Sequence, residues 1–142
     1  MQELRSAARS ICRGLQTLND RNGVHHDVRA PNVCWKANAG RGAAVLVDLS
    51  VCGPASKEPT ISLKDWSDAG HGSAQSTLND AGAYNHLSDM HQLGVMLTQL
   101  SRQQVWADSS RAFCIALQNK QLTASQALDH PYLAADIPPL DP

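Results

Sequence analysis

His25-His26-Asp27-Val28-Arg29-Ala30-Pro31-Asn32, followed by Val47-Asp48-Leu49-Ser50, is the stretch on which the fold turns. It sets an Asp, a cation and an Asn on one short loop, then adds a second Asp at the end of an apolar run. Phosphoryl transfer needs that combination. One carboxylate orients the attacking hydroxyl, a second carboxylate and an amide hold Mg²⁺, and a cation steadies the moving phosphate. Asn32 and Asp48 are the oxygen donors that a hard cation prefers.

Upstream of this loop, Leu4, Ala8, Ile11, Leu15 and Leu18 fall at helical spacing, with Arg5, Arg9 and Arg13 on another face. That amphipathic helix is expected to stop at Asn19-Asp20-Arg21-Asn22-Gly23. Gly23-Val24-His25, Val33-Cys34-Trp35-Lys36 and Ala43 to Val47 read as short strands, and Asn38 to Gly42 as a turn. From Gly53 to Ala83 the periodicity fades into a long loop punctuated by Pro and Gly. Regular structure returns at Leu87 to Leu100, apolar almost all round and so expected to be deeply buried. Ser109 to Asn119, with Phe113, Ile115, Ala116 and Leu117, predicts a further helix. Thr123-Ala124-Ser125-Gln126 fits a capping box that opens a last short helix, ended by Pro131. The tail from Ala134 is acidic and Pro-rich and is expected to fray.

The bulk numbers bound the function. A chain of 142 residues is long enough for one domain with a real core and too short for two. A net charge of −1 gives no pull towards nucleic acid or an anionic membrane. No apolar run approaches the ~20 residues of a membrane span. Met1 to Arg13 lacks the apolar core of a secretory signal, so cytoplasm or nucleus is expected. Cys12, Cys34, Cys52 and Cys114 form no Cys-x-x-Cys pair and are expected as free thiols. Spacings among His71, His86, His91 and His130 fit no common metal pattern, and these residues are expected at the surface or at helix caps.

The motifs together resemble the larger, C-terminal lobe of the eukaryotic protein kinases. His25-His26-Asp27 stands where that family has His-Arg-Asp, and Asn32 follows at the family's five-residue step. Asp48-Leu49-Ser50 stands where it has Asp-Phe-Gly. Ser88-Asp89-Met90-His91-Gln92-Leu93-Gly94-Val95-Met96-Leu97 is similar to its buried central helix, often Asp-x-x-Ser-Leu-Gly-Val-x-Leu, and Leu122 to Leu133 matches the usual ending of Ser/Thr kinase domains. The resemblance implies a mainly α fold (α+β), a helical bundle with short β-hairpins at the catalytic loop. It covers residues 1–133, with 134–142 as a tail. It implies transfer of the ATP γ-phosphate to protein Ser/Thr hydroxyls, with MgATP as cofactor and a protein substrate or protein partner. Asp27 would take the acceptor proton, Arg29 would meet the phosphate, and Asn32 with Asp48 would hold Mg²⁺. Val33, Cys34 and Trp35 would flank the nucleotide, Cys34 under the adenine ring. Asp89 would brace the catalytic-loop backbone, where a bare sequence reading makes it a carboxylate favoured by the helix dipole.

Departures from the family pattern are equally plain. These residues hold no Gly-x-Gly-x-x-Gly with a following Val and no Val-Ala-Ile-Lys, so the small lobe that grips ATP has no counterpart, and Met1 falls roughly at the helix before the catalytic loop. His26 replaces the Arg that clamps a phosphorylated activation loop. Ala-Pro-Glu and its Arg partner are both gone. One lost preorganised contact of this kind typically costs about 10²–10³ in rate, so the isolated chain is expected to transfer phosphate weakly or not at all. Two alternatives follow: a pseudokinase-like binding or scaffold module, and a small-molecule phosphotransferase with the same His-x-Asp…Asn…Asp skeleton. Arg29-Ala30 is also a habit of tyrosine kinases, so the acceptor stays open between Ser/Thr and Tyr.

Overall fold

The computed structural model describes residues 2–36, 43–46, 53–54, 78, 84–101 and 108–134. Helix dominates them. Helix α1 (Gln2–Asp20) is followed by strand β1 (Gly23–Val24), a one-turn 3₁₀ helix (Ala30–Asn32), β2 (Val33–Lys36), β3 (Ala43–Leu46) and β4 (Gly53–Pro54). Then come α2 (His86–Leu100), α3 (Asp108–Gln118), α4 (Ala124–Asp129) and α5 (Pro131–Ala134). The mainly helical fold expected from the sequence is therefore present. The turn at 38–42, Val47 to Ser50 with Asp48, Cys52, His71, nearly all of the long loop and the tail beyond Ala134 lie outside the described residues.

The apolar stripe of α1 becomes one wall of the core: Ala7, Ala8, Ile11, Cys12 and Leu15 are buried. They meet Met90, Leu93, Met96 and Leu97 of α2, Phe113 and Leu117 of α3, and Ala124, Ala127 and Leu133 near the C-terminus. Full burial of a Leu, Ile or Phe contributes about 1.5–3 kcal/mol, so this cluster outweighs any local propensity. Two arginines of α1 are drawn into the packing. Arg5 lies 5.8 Å above the Tyr132 ring, and Arg9 donates to the Leu133 carbonyl, capping the end of α5. Helix α2 opens with a capping box in which the Asn85 side chain accepts from Leu87 and Ser88. Gly94 lets α3 come close, because a Cβ there would lie 2.9 Å from Leu117 Cβ.

The strands form two antiparallel pairs. β1 pairs with β4 in the register Val24↔Gly53, and β2 with β3 in the register Cys34↔Val45. The first strand is one residue shorter than expected, because the His25 N–H bonds to a side chain of α2. Gly53–Pro54, expected within the loop, is that strand's partner. Two further expectations are corrected. The helix opened at Thr123 does end before Pro131, but it is not the last, because Pro131 opens α5, where a first helical position needs no N–H. His91 is buried, with Nδ1 2.7 Å from the Gln118 carbonyl. Ile115 is 52% exposed, pointing away from the face that Phe113 and Leu117 bury. The capping box at Thr123 and Gln126 forms as expected. Among the described residues Cys12, Cys34 and Cys114 are free, and no helix is long and apolar enough to cross a membrane.

Candidate functional site

Three buried polar side chains, Tyr84, Asp89 and Gln92, stand beneath residues 25–28. Asp89 lies in the first turn of α2, and its carboxylate accepts the backbone N–H groups of His25 at 2.7 Å and His26 at 3.0 Å. The Tyr84 hydroxyl donates to the same carboxylate. Asp89 is thus a brace for the loop and no mere dipole partner. Burial pushes its carboxyl above the usual range, while the bonds from Tyr84, His25 and His26 pull it back down. Burial, then the Asp89 charge, pushes the Tyr84 phenol well above 10. One turn along α2, Gln92 accepts the Val28 N–H at 2.9 Å and donates Nε2 to the His26 carbonyl at 3.3 Å. These two backbone groups fix which end of the carboxamide is oxygen.

His26 has a φ of 75°, in the left-handed region that a bulky side chain rarely occupies. Such a conformation costs about 1–3 kcal/mol and persists only when its surroundings over-determine it. Here they do. Asp89 holds the His26 N–H, Gln92 holds its carbonyl, and the imidazole lies 4.4 Å from the Tyr84 ring. The kink it makes turns the chain so that Asp27 N–H donates to His25 Nδ1 at 3.2 Å.

Asp27, 6% exposed, is then met by its own loop. The 3₁₀ turn at Ala30–Asn32, with Pro31 needing no donor, brings Asn32 back onto it. Asn32 Nδ2 donates to Asp27 Oδ2 and to the Asp27 carbonyl, both at 2.9 Å. Arg29 Nε stands 3.0 Å from Asp27 Oδ1. The Arg29 side chain is 35% exposed, so water screens this pair and its worth in stability is about 0–1 kcal/mol. Asp27, Arg29 and Asn32 are therefore gathered at one place. With its amide nitrogen committed to Asp27, Asn32 keeps Oδ1 as its acceptor, an oxygen of the kind Mg²⁺ takes. The donor set fits a hard cation in kind. Among the described residues no three His, Cys, Asp or Glu side chains gather into a metal centre, and Asp48, the second expected ligand, lies outside them.

Val33 and Cys34 sit on successive positions of β2 and so face opposite ways. Cys34 is exposed. Val33 is half-buried and lines an apolar cavity of about 90 Å³ with Leu4, Ile11, Met96 and Leu100. The expected nucleotide floor is thus divided between the two faces of the strand. Trp35 pairs with Ala44 in the ladder, and its side chain is outside the described residues.

Sequence reasoning missed Tyr84 and Gln92. A signal existed for Gln92: an amide inside a helix that is apolar almost all round must find buried partners. Neither models of known protein families nor the curated proteins compared with the chain match it.

Proposed function

We propose that residues 1–133 are a protein-kinase-like C-terminal lobe, and that Asp27 to Asn32 is a catalytic loop for phosphoryl transfer from MgATP to a protein Ser/Thr hydroxyl. One observation carries this reading. The Asn32 amide rests on the Asp27 carboxylate inside a loop whose backbone N–H groups are held by Asp89 of a buried helix. A surface turn would need no such support from a site 63 residues away.

In this reading Asp27 orients the acceptor hydroxyl and takes its proton. Arg29, already beside Asp27, swings its fork towards phosphate oxygens, and its partial exposure leaves it that freedom. Asn32 and Asp48 would hold Mg²⁺, which when bound supplies charge neutralisation for the phosphates. Cys34, on the exposed face of β2, would lie next to the adenine. The rigid backbone makes the loop ready before substrate arrives, which is where catalytic gain from positioning lies.

Titration of the ¹⁵N-labelled chain with Mn²⁺ and ADP tests the proposal. Paramagnetic broadening centred on the amides of Asp27 and Asn32, lost in Asn32→Ala, is the expected result. Broadening spread over surface carboxylates and unchanged by that substitution would remove the phosphoryl-transfer reading.

A further inference from the structure

We propose that Gln92 is a positioning residue for Asp27, a single carboxamide that fixes the peptide units on both sides of that residue from the buried helix. The inference rests on the phosphoryl-transfer reading for what Asp27 does, and on geometry alone for how Asp27 is held.

The rotation of the Asp27 side chain in space is set by two peptide planes. The one before it carries the His26 carbonyl, and the one after it carries the Val28 N–H. Gln92 holds both, through Nε2 at 3.3 Å and Oε1 at 2.9 Å. Asp89 acts one step upstream, on the N–H groups of His25 and His26. The Tyr84 hydroxyl, 3.1 Å from Gln92 Oε1 and bonded to Asp89, joins the two supports. A fully buried carboxamide is costly without partners, and this one spends both of its polar ends on the residues flanking Asp27. Asn32 then holds the carboxylate itself, with Arg29 beside it. Productive catalytic geometry has a tolerance of roughly 0.5 Å, so a group that holds both planes governs whether Asp27 is aimed.

Two variants of the full chain test the assignment, Gln92→Met and Gln92→Glu. In Gln92→Met, exchange of the Val28 amide is expected to quicken about tenfold or more, while the His25 and His26 amides, held by Asp89, change far less. Loop affinity for Mn²⁺ is expected to fall about tenfold. Gln92→Glu supplies the discriminating readout. A protonated Glu donates O–H to the His26 carbonyl and accepts from Val28 as Gln does. A charged one is repelled by Asp89. Protection of Val28 should therefore be restored at about pH 6 and lost at about pH 8. Equal loosening of Val28, His25 and His26 in Gln92→Met would show a packing role only and overturn the assignment. So would a Gln92→Glu chain without pH-dependent rescue, a measurement that stands even if Gln92→Met does not fold. If the wild-type loop binds no Mn²⁺, the phosphoryl-transfer reading fails, and the exchange data still decide whether Gln92 fixes the Asp27 backbone.

Discussion

Asp89 and His26 are joined by a 3.0 Å hydrogen bond from the backbone of one to the carboxylate of the other, at the point where the chain has its 75° φ. The bond ties the least comfortable backbone of the loop to the most buried helix of the domain. Local strain and long-range packing are thereby placed on the same two residues.

Asp89→Ala leaves two buried N–H groups and the Tyr84 hydroxyl without this acceptor. Each N–H that loses its acceptor costs about 1–3 kcal/mol, offset in part by relief of the buried charge, while the Tyr84 hydroxyl keeps Gln92 Oε1 within reach. A net loss of about 2–4 kcal/mol is expected, read as a lower urea midpoint by circular dichroism. An unchanged midpoint would mean that the brace contributes nothing.

Gly94→Ala sets two magnitudes against each other. Ala is about 1 kcal/mol better than Gly inside a helix. The new Cβ, however, would stand 2.9 Å from Leu117 Cβ and 3.1 Å from the Gln118 backbone nitrogen. Overpacking of this kind costs about 1–3 kcal/mol, so the variant is expected to lose up to about 2 kcal/mol in thermal or urea unfolding. A stabilised variant would show that α2 and α3 are free to part.

Alkaline stability follows from Cys12. Burial pushes its thiol from 9.0 up to about 12. The unfolded thiol ionises near 9.0 while the folded one stays protonated, so this contribution is full below that pH and drains away as pH climbs towards 12. The slope is at most about 1.4 kcal/mol per pH unit. Unfolding free energies measured between about pH 9 and 10.5 should fall more gently in Cys12→Ala than in the wild type, whatever the variant's stability at neutral pH.

Thiol reactivity separates the described cysteines. Cys34 is exposed, whereas Cys12 and Cys114 are buried with their thiols held protonated. Under limiting maleimide, peptide mapping should find Cys34 modified first of the three, and MgADP should slow that modification. A rate indifferent to nucleotide would count against adenine contact at β2.

Much of this architecture is legible in the residue order. Helix α1 announces itself through Leu4, Ala8, Ile11 and Leu15, and α4 through the Thr123–Gln126 box, because both signals are local. The gathering of Asp27 and Asn32 is legible too, since five residues with a Pro between them can only turn so far. What escaped is long-range. Nothing near His26 in sequence says that its backbone bends through φ 75°, because the groups that hold it there lie on α2 and at Tyr84. His91 reads as a surface or capping residue and is buried with the Gln118 carbonyl at the end of α3 against it. Pro131 punctuates in either direction, and a helix starts there with the Tyr132 N–H capped by His130 Nδ1 at 3.1 Å and the Tyr132 ring packed 5.0 Å from that of Phe113.

The bond from Arg9 to the Leu133 carbonyl spans 124 positions, and α4 and α5 both close over α1. Synthesis runs from α1 towards α5, so the first helix emerges with that part of its oily side uncovered and waits for the α4–α5 segment to follow. Completion of the core must therefore wait for α4 and α5, and in that interval α1 is a natural client for a chaperone.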